Sequence, residues 1–297
     1  MPNNAVLSVD VELFSQTPAY RNATGETDRE GVGLEGIEFL REALTDRGAT
    51  TTCFVVSAVA EEYPEAIRDL AGADFEIASH THSHRLLSDL DADERREELA
   101  RSKDVLERVT DRTVTGFRAP AFDIGPNHFT DLADAGYAYD SSVVASRWIP
   151  GWYGGEHDLH APAPASAVEE GAPSTVAELP TSVMPGLRLP LTGTWLRFFG
   201  PRYTILGMRR LAKRGITPVL YVHPWELVDL PAVEGVPKRV YFRTGDWMRR
   251  AVERILDEPF EFTTARDVLA DADLGEDGVE DGGENGGKDG TPVSEER

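Results

Sequence analysis

Short apolar runs alternate with longer amphipathic stretches along most of this chain. The runs at 6–9, 51–56, 75–78, 114–118, 138–141, 177–179, 218–222 and 260–263 have strand length. Between them the spacing predicts helices over 35–47, stopping at Gly48, and over 58–72, divided near Pro64. A third covers 91–110, with Asp89 or Asp91 as its cap, and others follow over 127–136, 203–214 and 245–256. Such alternation predicts a mostly parallel sheet with helices outside it. About seven to eight strands in this length amount to a distorted (β/α) barrel in the α/β class, whose chemistry gathers at the carboxyl ends of the strands. Residues 151–173, rich in Gly, Pro and Ala, read as an irregular insertion lining the surface or a pocket. Residues 1–270 therefore form one expected domain, and 271–297, Gly-rich and acidic, an expected disordered tail.

Charge narrows the function. Acidic residues number 52 against 30 basic ones, for a net charge of −22, which argues against nucleic acid as a partner. Positive charge is nearly all arginine, and the acidic excess suggests a protein from a high-salt cytoplasm, where such repulsion is screened. Cys53 is the lone cysteine, so neither an intrachain disulfide nor a thiolate metal cluster can form, and its apolar surroundings place it in the core. No stretch is long and apolar enough to predict a membrane span. The N-terminus reads as a first strand rather than an export signal, so the expected location is the cytoplasm, extending to the inner membrane face.

Four segments at predicted strand ends carry the chemistry. In Ser79-His80-Thr81-His82-Ser83-His84, two histidines four residues apart would share one face of a helical turn, so His80 and His84 can bind one ion while His82 points elsewhere. Close histidines also occur by chance in loops, but three of the chain's seven lie here, at a strand end. A hydrolytic divalent site needs an anionic ligand as well. Alternation puts Asp10 and Glu12, at the end of the first strand, on one face, where one can serve the metal and the other accept a proton. Arg118, leaving another strand, needs an anionic partner, and Asp10 is the natural one. His223 stands at a further strand end; a lone histidine there is usually structural, but the other three segments reverse the odds.

Together, Asp-x-Glu, His-x-x-x-His, Arg-Ala-Pro and a late His-Pro-Trp-Glu resemble the polysaccharide deacetylases, the NodB-type group of carbohydrate esterase family 4, and within it the exopolysaccharide-associated subgroup. The resemblance runs from about Val6 to Leu269. It implies a metal-dependent hydrolase that removes N-acetyl groups from amino sugars of a glycan or glycan precursor, free or carried on a lipid or nucleotide, and releases acetate. The implied metal is zinc, with cobalt, manganese, nickel or ferrous iron as alternatives. By the same resemblance His80 and His84 are metal ligands, Asp10 the catalytic base, Arg118 the arginine that orients it, and His223 the late catalytic histidine. Val11 and Glu12 stand where most members have a second aspartate and a glycine, so the metal carboxylate is assigned to Glu12. Pro120 and Phe122 in the loop after Arg118, together with Trp195 and Trp225, are candidate sugar contacts, and Arg197 is a candidate for an acidic sugar or phosphate. The alternative on the same fold is an allantoinase-like hydrolase of cyclic amides.

Overall fold

The computed structural model describes residues 4–25, 30–149, 155–272 and 274. The expected tail from 275 onward, and the start of the 151–173 insertion, lie outside the described residues. Nine strands occur among those described: β1 (Asn4–Val11), β2 (Thr52–Val55), β3 (Glu76–Ser79), β4 (Gly116–Phe117), β5 (Tyr139–Asp140), β6 (Ala163–Pro164), β7 (Ala177–Glu178), β8 (Val219–Val222) and β9 (Glu261–Phe262). The helices are α1 (Pro18–Thr24), α2 (Leu34–Thr45), α3 (Ser57–Glu62), α4 (Pro64–Gly72), α5 (Ala92–Thr110), α6 (His128–Asp134), α7 (Gly193–Phe199), α8 (Pro201–Ala212), α9 (Asp246–Leu256) and α10 (Ala265–Ala270).

The sheet runs β6-β7-β5-β4-β3-β2-β1-β8, and β9 pairs with the start of β1. Every pairing is parallel except β6 with β7, and the sheet curls into a half-barrel. Residues 181–192 span the open side. The Ser182 amide donates to the Val219 carbonyl over 2.9 Å, and Thr192 bridges to Tyr221. β1 is buried from Ala5 to Val11, as a strand covered on both faces must be, which explains its near-continuous apolar run.

Local chemistry sets the helix boundaries. Asp91 caps α5 by accepting from the amides of Asp93 and Glu94 at 3.0 Å each, while Glu94 reaches back to the Asp91 amide. Pro64 divides α3 from α4 and opens the second, where its missing N–H costs nothing. Gly36 of α2 faces the 224–227 turn so closely that a Cβ would overlap the Pro224 carbonyl, so glycine is what lets this helix pack there. The eight predicted strands all form; β6, inside the insertion, and the short α1, α7 and α10 are additional. Those pieces are too short to show a period of their own. Cys53 is buried in the core as expected.

Candidate active site

β1, β3, β4 and β8 end along the same edge of the sheet, and the residues at or just past their carboxyl ends converge on a cleft of about 850 Å³. Asp10, Glu12, His80, His84, His223 and Trp225 line its inner part. One carboxylate oxygen of Glu12 and one ring nitrogen from each of His80 and His84 lie within 4.8 Å of one another, all three residues buried.

The histidine pair converges by a route other than the expected helical turn. Residues 80–84 form a bend with Thr81 and His84 at positive φ, 63° and 57°. Two left-handed residues fold the chain back on itself and bring the rings to 5.0 Å between centroids. Side-chain bonds hold this unusual backbone. The Glu98 carboxylate accepts from the amides of His82 and Ser83 at 3.0 and 2.8 Å, and the Arg21 guanidinium donates to the carbonyls of Ser83 and His84 at 2.7 and 3.0 Å. His82 does point elsewhere, its Nδ1 lying 2.8 Å from the Ser57 hydroxyl.

The donor set fits a divalent cation. His80 Nδ1 lies 2.8 Å from the Arg118 carbonyl, which leaves Nε2 as the nitrogen free to bind. Oε2 of Glu12 is buried and 2.6 Å from His84 Nε2, the close approach of two ligand-type atoms that a shared cation would separate and bridge. Oε1 of the same carboxylate accepts from Trp225 Nε1 over 3.0 Å. Burial pushes the His80 imidazole down to about 4, with His84 adding to the shift against the pull of Asp10, so the ring is neutral as a ligand must be. Burial alone would raise the Glu12 carboxyl, but His84, His223 and His80 together hold it well below the usual carboxylate range.

Asp10 stands beside this cluster. Its Oδ1 accepts from Arg118 Nη1 at 2.5 Å, within a fully buried guanidinium that also donates to Ser8 Oγ at 3.0 Å, to the Ser141 carbonyl at 3.0 Å and to Ser141 Oγ at 2.9 Å. Phe54 lies beneath that guanidinium at 4.0 Å from the ring centroid. A planar cation so held fixes the carboxylate's orientation as well as its charge. Ser8 and Ser141, which complete the clamp, carry no motif that singles them out.

His223 faces the same cleft. Its Nδ1 is 3.2 Å from Glu226 Oε2, and its Nε2 is 3.6 Å from Glu12 Oε1. Burial pulls the imidazole down, but the Glu226 carboxylate in contact, helped by Glu12 and Asp10, pushes it up to about 9. The ring is therefore an acid at neutral pH. Glu226 also pairs with Arg197 at 2.8 Å, and a Cβ on Gly193 would overlap the Glu226 carboxylate. Glu226 escaped the sequence reading although it belongs to the His-Pro-Trp-Glu segment, three residues after His223.

The candidate sugar contacts divide. Phe122 and Trp225 reach the cleft, and so does Arg197, but its guanidinium is occupied by Glu226 and by the carbonyls of Val240 and Phe242. Pro120 is buried behind the wall, and Trp195 stacks on Phe199 outside the cleft. Glu156, from the insertion, does line it.

With this geometry in place, the sequence was compared with known proteins. Residues 37–139 match the family described as polysaccharide deacetylase, and residues 141–270 match a domain of unknown function (DUF3473) that accompanies exopolysaccharide-associated deacetylases. Residues 37–139 are thus a polysaccharide deacetylase domain, followed by the companion domain of exopolysaccharide-associated deacetylases. The family that this domain matches hydrolyses N-acetyl amide bonds, which are carbon–nitrogen bonds other than peptide bonds. No curated protein sequence matches it. Among solved structures, a polysaccharide-deacetylase-family protein of Mycobacterium smegmatis superposes with TM-score 0.64 at 22% identity, over 90% of this chain and 88% of that one. A second, from Pseudomonas aeruginosa PAO1, gives 0.63 at 16% identity over 91% and 90%. The allantoinase Puue gives 0.57 at 16% identity, also over 91% and 90%, so the fold is common to both reactions.

Proposed function

We propose that this deacetylase-family chain removes N-acetyl groups from amino sugars of a glycan or glycan precursor, with Glu12, His80 and His84 holding a divalent cation, zinc by donor type. The observation that supports this most is the buried cluster in which one oxygen of Glu12 and one nitrogen each of His80 and His84 lie within 4.8 Å of one another. A cation held by these groups would supply Lewis acidity toward the acetyl carbonyl and lower the pKa of water to about 7.

The chain's own groups divide the remaining work. Asp10 takes a proton from the attacking water through the oxygen that Arg118 leaves free, and Arg118 keeps that carboxylate aimed into the cleft. As water oxygen bonds to the acetyl carbon, the carbon–nitrogen bond breaks. His223, its Nδ1 turned to Glu226, has Nε2 available to protonate the departing nitrogen, which leaves poorly as an amide anion. Acetate and a free amine result. Phe122 offers an apolar face for the sugar ring, and the buried Trp225 backs the wall beside it.

Metal content and acetate release from N-acetylglucosamine oligomers, measured on wild type and His80→Ala, test this reading. The variant should lose both while keeping its circular dichroism spectrum. Full acetate release from that variant would sink the metal assignment, and ring opening of a hydantoin without acetate release would favour the cyclic-amide alternative.

A further inference from the structure

From Leu179 to Trp225 the sequence contains no aspartate or glutamate, in a chain that carries 52 of them, while it holds seven arginines and lysines. The structure gathers most of this basic stretch onto one surface. Along α8 the exposed positions are Arg202, Leu206, Arg209 and Arg210, continued by Lys213 and Arg214, a spacing that places the stripe on one helical face. The opposite face, with Thr204, Ile205, Met208 and Leu211, is buried. Arg209 is tied to Glu258 at 2.5 Å, whereas Arg202, Arg210, Lys213 and Arg214 form no ion pair among the described residues.

Large apolar side chains stand beside this stripe. Phe199 is 51% exposed, Leu206 45%, and Phe198 and Phe242 41% each. Phe198 and Phe242 stack at 5.7 Å between centroids, and Phe242 follows Lys238 and Arg239, both exposed. In a protein of net charge −22, one face thus combines aromatic side chains with cations and lacks acids on its exposed helix. Solvation of the surface would not call for exposed phenylalanines. A basic amphipathic helix with aromatic residues at its edge is suited to lie in the interface of an anionic bilayer, apolar groups entering it and cations meeting the headgroups. No helix among the described residues is long and apolar enough to cross a membrane, so contact would be peripheral.

We infer that α7, α8 and the adjoining 238–243 segment form a docking face for an anionic lipid bilayer, with the cleft opening beside it. Thr194, Arg197, Phe198, Arg239 and Val240 belong both to this region and to the cleft wall. Docking would therefore bring the catalytic groups to the membrane surface, where a glycan on a lipid carrier is presented. That last clause rests on the proposed deacetylation; the docking itself does not.

Vesicle co-sedimentation at low ionic strength tests the face, using the full chain with vesicles of phosphatidylcholine alone or with phosphatidylglycerol added. Wild type should bind only the anionic vesicles, and Arg202→Glu/Arg210→Glu/Lys213→Glu should lower the partition coefficient at least tenfold. Leu206→Ser, which changes no charge, should weaken binding several-fold. Both variants should keep the wild-type melting temperature and metal content, and should release acetate from soluble oligomers as wild type does. Failure of all proteins, wild type included, to release acetate would count against the enzymatic reading and leave docking to be judged by sedimentation. Equal binding to neutral vesicles, no binding to anionic ones, unchanged binding by the triple variant, or binding only to a soluble polyanion such as polygalacturonate would each overturn the membrane assignment.

Discussion

Trp225 donates its indole N–H to Oε1 of Glu12 across 3.0 Å, joining the turn after β8 to the end of β1. This bond engages Oε1 and leaves Oε2 beside His84, 2.6 Å from its Nε2, so the tryptophan sets the carboxylate's orientation. Trp225→Phe keeps the ring and removes the donor. Its zinc affinity should fall about 10–100-fold, the range for losing a hydrogen bond behind a metal ligand. Competition with a chromophoric chelator measures it; unchanged affinity would make the bond incidental.

Asp10 and Glu12 are both buried carboxylates, but only Glu12 joins the histidine cluster. Asp10→Asn should therefore keep bound metal and lose about 10²–10⁴-fold in kcat, the usual contribution of a positioned base. Glu12→Gln should lose metal instead. Metal analysis beside kinetics separates the two, and the reverse pattern would exchange their roles.

Arg118 and Asp10 form a pair at 2.5 Å in which the guanidinium is fully buried and the carboxylate meets only the cleft. Replacing Arg118 by Met strands the carboxylate, a change that costs on the order of 3–5 kcal/mol. Denaturant unfolding should show this loss largely reversed in Arg118→Met/Asp10→Leu, although both variants are inactive. A double variant as unstable as the single one would mean that the guanidinium's bonds to Ser8 and Ser141 dominate instead.

Two histidines give the metal-free protein opposite pH dependences. His80, at about 4 when folded against 6.5 ordinarily, stays neutral while the unfolded chain takes up a proton, so stability falls as pH drops from about 6.5 to 4. His223, at about 9, holds a proton that the unfolded chain releases, so its contribution is lost as pH rises from about 6.5 through 9. Each limb amounts to roughly 3 kcal/mol by the linkage of about 1.4 kcal/mol per unit. Melting curves of chelator-treated protein should peak near pH 6.5. His80→Asn should flatten the acid limb, and Glu226→Gln the alkaline one.

Gly193 lies against the Glu226 carboxylate with no room for a Cβ. Gly193→Ala should displace Glu226, release His223 and shift the alkaline limb of kcat/KM to lower pH while metal content stays unchanged. A pH–rate profile identical to wild type would show that the turn yields instead.

The eight predicted strands, the helix break at Pro64, the Asp91 cap and the placing of Asp10, Glu12, His80, Arg118 and His223 at strand ends were legible in the residues alone. Periodicity, proline geometry and capping act over a few neighbouring residues, so a linear reading captures them. It misjudged how His80 and His84 meet, because two left-handed residues held by Glu98 and Arg21 replace the expected helical turn. Tertiary structure alone decided that Trp225 grips Glu12, that Glu226 is shared by His223 and Arg197, and that Ser8 and Ser141 clamp Arg118. Apart from the three-residue step from His223 to Glu226, these partners are brought together across long stretches of chain by sheet register and barrel curvature, and no local pattern encodes which side chains will then be within hydrogen-bond reach.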